Sequence, residues 1–238
     1  MKHLLLTLVL FPFLTLADGT VRWVDVEGMK NVRDIGGWTD LRTGRAFRGS
    51  EPDCRDAAYM ASQKKKYHNL NVTPAGLKVM QEKLGVRTDL DLRGETECPH
   101  PEKSALGVPL VRASLGAYMG AFSDTNAYAT ALRVFTKDGN YPIYFHCWGG
   151  ADRTGTLALL LEGLCGCSEE TLLADYELTS QAKVFGKRTR TDARLVALLA
   201  RLKTYPGKTL ADQIAAFMET TLGLTQEEII AIRRNLMR

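Results

Sequence analysis

The stretch "HCWGGADRTG", residues 146–155, sets Cys147 directly after His146, follows it with Gly149 and Gly150, and places Arg153 six positions on. A thiol that merely filled a core would need none of these neighbours. Two adjacent glycines let a backbone curl until its N–H groups converge on one hollow. A helix starting behind such a turn adds its positive end, which favours a tetrahedral anion. Arg153 supplies a planar fork that can hold two oxygens at once. The same positive field favours the ionised form of a cysteine in that position. A thiolate built together with an oxyanion cradle suits in-line attack on phosphorus. Within this reading Thr154 donates a hydrogen bond to the sulfur, and His146 orients the loop rather than transferring protons.

Such a loop has to be presented by rigid elements. The apolar run "YPIYFH", residues 141–146, reads as a strand buried on both faces. The leucine-rich run from Leu157 to Leu164 reads as a helix, starting near Arg153, that lies against the sheet centre. Ligands in α/β sheets bind at the carboxyl end of a strand facing a helix N-terminus, which is where Cys147 falls. "NVTPAGLKVMQEKLGV" is a helix capped by Thr73, with Pro74 in its first turn and Gly85 past its end. "VRTDLDLR" and "GVPLVRA" are brief strands. "DTNAYATALRVFTKDG" is helical, with Tyr128, Ala131, Leu132 and Phe135 on one face and a stop at Asp138–Gly139. Residues 20–50 read as short strands broken at Gly36–Gly37 and Thr43–Gly44. Helices are expected near residues 168–180, 191–203, 209–222 and 225–237, the last with a Thr225–Glu228 capping box. The fold class that follows is α/β, with a central, mostly parallel sheet flanked by helices and a helical C-terminal part.

The chain has 238 residues and 45% hydrophobic content, enough for one substantial core. A formal charge of +4 gives no reason to expect nucleic acid, and it suits anionic substrates. Residues 1–17 combine a basic start, a short apolar run and small residues before Ala17, the layout of a secretory signal peptide. The expected organisation is therefore a leader over 1–17 and one domain over 18–238, with export to periplasm or medium. Nothing is apolar for long enough to span a bilayer. Five cysteines are an odd number for an oxidising compartment: Cys54 and Cys98 could pair, while Cys165 and Cys167 stand too close together. No metal-ligand spacing occurs, so neither a metal nor a cofactor is expected.

The loop "HCWGGADRTG" resembles the H-C-x-x-G-x-D-R-T-G signature of the bacterial tyrosine/serine phosphatase branch of the cysteine-dependent protein tyrosine phosphatase superfamily. "NVRDIGGW" at 31–38 resembles its N-x-R-D-[LI]-G-G stretch, "FRGSEPD" the segment that follows, and "DLDLRGETE" its D-L-R-x-x-x-E strand end. "ADYELTS" and "LGLTQEEIIAIRRNLM" are similar to its C-terminal helices, so the likeness covers nearly all of the chain after the leader. It implies a protein tyrosine phosphatase-like fold and a two-step hydrolysis without metal. Cys147 would form a phosphocysteine, Arg153 would bind phosphoryl oxygens, and the backbone of Trp148, Gly149, Gly150, Ala151, Asp152 and Arg153 would complete the cradle.

For the proton on the leaving oxygen, Asp91 is placed ahead of Asp152, with Asp124 a third candidate. Ala151 stands where members of the branch carry a lysine suited to polyanionic lipids, which favours phosphotyrosine or a smaller phosphomonoester. Inositol polyphosphate or phosphoinositide hydrolysis remains the alternative, as does a non-catalytic phospho-ligand module. The expected partner is a phosphorylated protein or small phosphomonoester, with oligomeric state open. Lys183, Lys187, Arg188 and Arg190 form either a solvated approach or a pocket rim, and Lys64–Lys66 an exposed loop. Asp34 is expected to be structural, while Arg33 and Arg48 are left open. Trp148 and Tyr118 could face an aromatic substrate, or belong to core and rim.

Overall fold

A computed structural model describes residues 22–38, 40–54, 71–98, 100–182 and 186–238. The expected leader, Lys64–Lys66 and Lys183 lie outside the described residues. Among the described residues five strands form one sheet: β1 (Arg33–Asp34), β2 (Ala46–Gly49), β3 (Thr88–Asp91), β4 (Leu110–Arg112) and β5 (Ile143–His146), in the order β1-β2-β5-β3-β4. Only β1 runs antiparallel to its neighbour; the remaining pairings are parallel. The strand read from "YPIYFH" is therefore the central one, with all four of its residues buried. Its side chains alternate between faces, as a strand's period of two requires. Ile143 and Phe145 join the large cluster on one side of the sheet, and Tyr144 joins Val26, Met29, Phe47 and Met80 on the other.

Among the described residues the helices are α1 (Pro74–Lys78, continued by a wider turn over Val79–Lys83), α2 (Gly120–Ser123), α3 (Thr125–Val134), α4 (Asp152–Leu164), α5 (Glu169–Leu178), α6 (Ala193–Leu202), α7 (Leu210–Thr220) and α8 (Gln226–Leu236). Thr73 caps α1 by accepting from Gly76 N, and Thr225 with Glu228 forms the expected capping box of α8. Every residue of α4 from Thr156 to Leu164 is buried, so this helix runs through the core against the sheet, α5 and α7. α3 stops at Val134, short of the expected Asp138–Gly139. Its last carbonyls are claimed from outside: Asn140 Nδ2 donates to Val134 O, and both Tyr141 OH and Asn235 Nδ2 donate to Phe135 O. Among the described residues no helix is long and apolar enough to cross a membrane.

No disulfide joins any of the five cysteines, so the pairing left open between Cys54 and Cys98 is not made. The Cys98 thiol instead donates to Asp91 Oδ2 at 3.3 Å, and burial together with that carboxylate pushes its pKa up to about 12.

Candidate active site

The parallel registers bring three strand ends to one level, with Gly49 of β2 and Asp91 of β3 flanking His146 of β5. Cys147 leaves the sheet there, 4% exposed, and the turn from Trp148 to Ala151 leads straight into the N-terminus of α4. Two contacts fix the path of the turn. Glu51 N donates to Trp148 O at 3.1 Å, and Gly150 adopts φ +66° with its α-carbon pressed onto β2. A β-carbon on Gly150 would sit 2.3 Å from the Gly49 carbonyl, so glycine is required by both conformation and space. With α4 beginning at Asp152, its unsatisfied N–H end faces the turn.

Arg153 stands in the first turn of α4, where both of its terminal nitrogens bond to Glu97, at 2.6 and 2.9 Å. Burial alone would lower the arginine's pKa; the Glu97 carboxylate and the nearby Cys147 sulfur outweigh it and raise the pKa above the usual value. Burial likewise opposes ionisation of Glu97, but bonds from Arg153 and Gly94 N hold its pKa below the usual value. Glu97 ends the D-L-R-x-x-x-E stretch, yet spacing alone gave it no role. The loop thus gathers Cys147, Trp148, Gly149, Gly150, Ala151, Asp152, Arg153 and Thr154 at one strand end.

Two expected partners are placed differently. Thr154 is buried in α4, and among the described residues its hydroxyl has no hydrogen-bond partner, the sulfur included. Asp91 is 1% exposed and saturated: it accepts from Arg93 N, Nε and Nη2, from Arg112 Nη2 and from Cys98 Sγ. Burial would raise its pKa, but His146 and Arg93 reverse this and hold it well below the ordinary carboxylate range. A group so firmly ionised and so enclosed is built to hold cations, which corrects its first place as proton donor. His146 is fully buried, with Nε2 3.0 Å from Asp89 Oδ1 and Nδ1 3.9 Å from Asp91 Oδ1. Desolvation disfavours its charge, but the two aspartates prevail and raise its pKa. Both ring nitrogens thus face aspartates of β3 rather than the loop.

Asp152 lies at the mouth, with a side chain 34% exposed. Its Oδ1 accepts from Tyr118 OH at 2.5 Å, and its Oδ2 accepts from Arg188 Nη2 at 3.1 Å. Tyr118, itself at φ +53°, meets Tyr176 OH at 2.9 Å, and Tyr176 donates to Asp192 Oδ2. Of the basic run, Arg188 therefore reaches the rim, while Arg190 turns away to Glu170 and Glu177. Asp124 is occupied with Gly116 N at 2.6 Å. Asp34 holds a turn by accepting from Gly36 N and Gly44 N, the structural role expected of it. Behind the loop lies a buried ion cluster that spacing could not reveal: Arg22, Arg33 and Arg48 converge on Asp175, with Glu162 beside Arg22.

A family model described as "Tyrosine phosphatase family" matches residues 24–238. A protein of Cupriavidus necator, named as a candidate tyrosine-protein phosphatase, is 28% identical over 190 residues. That match takes in 65% of this chain and 62% of the relative, so the chain spans less than two thirds of that protein's length. The crystal structure of the core catalytic domain of the PP-IP phosphatase SIW14 from S. cerevisiae, in complex with citrate, is 15% identical. It aligns over 74% of this chain and 85% of that one with a TM-score of 0.45.

Proposed function

Because the chain belongs to the tyrosine phosphatase family, we propose that it is an exported, cysteine-dependent phosphatase acting on phosphotyrosine and related phosphomonoesters. The observation that carries this reading is the placement of Cys147 at the end of the central strand, on a glycine turn that leads directly to Arg153 in the first turn of α4. In the first step the Cys147 thiolate attacks phosphorus, a sulfur–phosphorus bond forms, and the ester oxygen leaves with a proton. Asp152, the carboxyl group at the mouth of the loop, is assigned as the donor of that proton. In the second step water attacks the phosphocysteine, the sulfur–phosphorus bond breaks, and inorganic phosphate leaves as the thiolate is regenerated. Arg153 and the loop N–H groups offset charge on the phosphoryl oxygens in both steps. Export rests on the leader-like composition of residues 1–17.

The test is hydrolysis of an aryl phosphate in the presence of a chelator, by wild type and Cys147→Ser. Turnover by wild type with none by the variant supports the mechanism, and full activity of Cys147→Ser removes it. Running phosphopeptides beside inositol polyphosphates in the same assay decides the substrate class.

A further inference from the structure

The carbonyl oxygens of Gly149 and Gly150 are turned inward and held from behind. Asn31 Nδ2 donates to Gly150 O at 2.9 Å and to Gly149 O at 3.2 Å, while Arg48 Nη2 donates to Gly150 O at 2.9 Å. Across a trans peptide the C=O and the following N–H point in opposite directions. Drawing these two carbonyls into the interior therefore aims the N–H groups of Gly150 and Ala151 the other way, into the hollow of the loop. Among the described residues neither of those N–H groups has a protein acceptor. We propose that Asn31 and Arg48 are positioning residues: they set the two peptide planes that give the loop its oxyanion-binding face. This rests on the phosphatase reading of the same loop.

The clamp is itself anchored so that it can act in only one sense. Asn31 Oδ1 accepts from Arg33 Nη1 at 2.5 Å, which commits the amide nitrogen to the loop. Arg33 then bonds to both carboxylate oxygens of Asp175, at 3.1 and 3.2 Å, and Arg48 Nη1 bonds to Asp175 Oδ2 at 2.6 Å. Asp175 on α5 thus fixes two arginines of the sheet, and through them the asparagine. Asn31 holds φ +59°, a conformation asparagine tolerates better than most residues. Burying so many charges is a weak way to gain stability, since apolar side chains of similar volume often do as well. What apolar side chains could not do is grip two carbonyls and orient the peptides that carry them.

Three variants test this. Asn31→Gly keeps the positive φ and removes the donor. Asn31→Asp keeps the acceptor for Arg33 and turns an oxygen on the two carbonyls. Arg48→Lys leaves one ammonium that cannot serve Asp175 and Gly150 O together. For each, the dissociation constant for orthovanadate, kcat and KM on an aryl phosphate, and the pH profile of Cys147 alkylation are measured beside the melting temperature. The expected result is a vanadate constant and KM raised by about tenfold or more, with alkylation displaced to higher pH and Asn31→Asp worse than Asn31→Gly. Folded variants with a lower melting temperature but unchanged vanadate affinity and alkylation profile would overturn the proposal. So would failure of all three to fold, since the residues would then be holding the fold itself. A wild type that neither hydrolyses aryl phosphate nor binds vanadate defeats the phosphatase reading instead, and the alkylation profile still reports on the clamp.

Discussion

Glu97 holds the guanidinium of Arg153 end-on, with Nη1 donating to Oε2 at 2.6 Å and Nη2 to Oε1 at 2.9 Å. An arginine has five N–H donors in a fixed fork, and this grip uses two. A remaining donor reaches the Cys147 sulfur, so the same guanidinium faces both Glu97 and the thiol of the loop. Glu97 is thereby an orienting partner for the arginine that the proposed chemistry needs.

Replacing Glu97 should therefore cost catalysis more than stability. Misplacing a binding group by about an ångström can cost roughly a hundredfold in rate. Glu97→Ala is expected to lower kcat/KM by about that factor, and Glu97→Gln, which keeps shape without charge, by about tenfold. The carboxylate is 42% exposed, so the melting temperature should barely move. Steady-state kinetics beside thermal melts check this, and an unchanged kcat/KM in Glu97→Ala would remove the orienting role.

Asp91 and Asp152 should separate cleanly when each is changed to asparagine. Asp91→Asn takes a carboxylate from between the guanidinium groups of Arg93 and Arg112, inside the protein. Breaking a buried pair in this way costs about 3 kcal/mol or more. Asp152→Asn should leave stability within about 1 kcal/mol, because its own side chain is partly solvated. It should lower kcat by about a hundredfold or more on an ester with a poor leaving group, and much less on an aryl phosphate. Urea unfolding and a leaving-group series read the two effects, and equal kcat losses on both esters would deny Asp152 the proton.

What separates those aspartates also marks the limit of what the residues alone reveal. The strand–turn–helix around Cys147 is legible because each of its causes is local: an apolar run, two glycines and a leucine-rich helix. The Thr73 and Thr225 caps are legible for the same reason. Asp91 looks like a free strand-end acid until the β3–β4 register sets it opposite Arg112. Asp175 lies 142 positions from Arg33, and Asn31 lies 119 from Gly150, so only the fold makes either pair. The burial of the Thr154 hydroxyl is not legible for a related reason, since helical phase rather than spacing decides where it points.

Gly150→Ala tests the turn itself. Alanine at φ +66° costs about 1 kcal/mol from conformation alone. Its β-carbon would also meet the Gly49 backbone at 2.3 Å, and a paired strand end cannot yield as a side chain would. The turn must shift instead, taking its N–H groups with it. The expected result is a destabilisation of about 2–4 kcal/mol together with loss of vanadate binding. A variant with wild-type vanadate affinity would show that the turn tolerates another path.

His146 makes stability depend on pH with a definite sign. Its pKa in the folded protein lies above the usual 6.5, because Asp91 and Asp89 more than offset burial. The folded state thus binds this proton more tightly than the unfolded chain does. The contribution is complete below about pH 6.5 and disappears as pH rises through the folded value. Glu162, which burial and Asp175 push up to about 8, acts in the same direction, so the total slope does not belong to His146 alone. The difference between wild type and His146→Gln isolates it. Wild type should lose more of its urea midpoint than the variant between about pH 6 and pH 8, and parallel curves would mean that the buried imidazole carries no proton there.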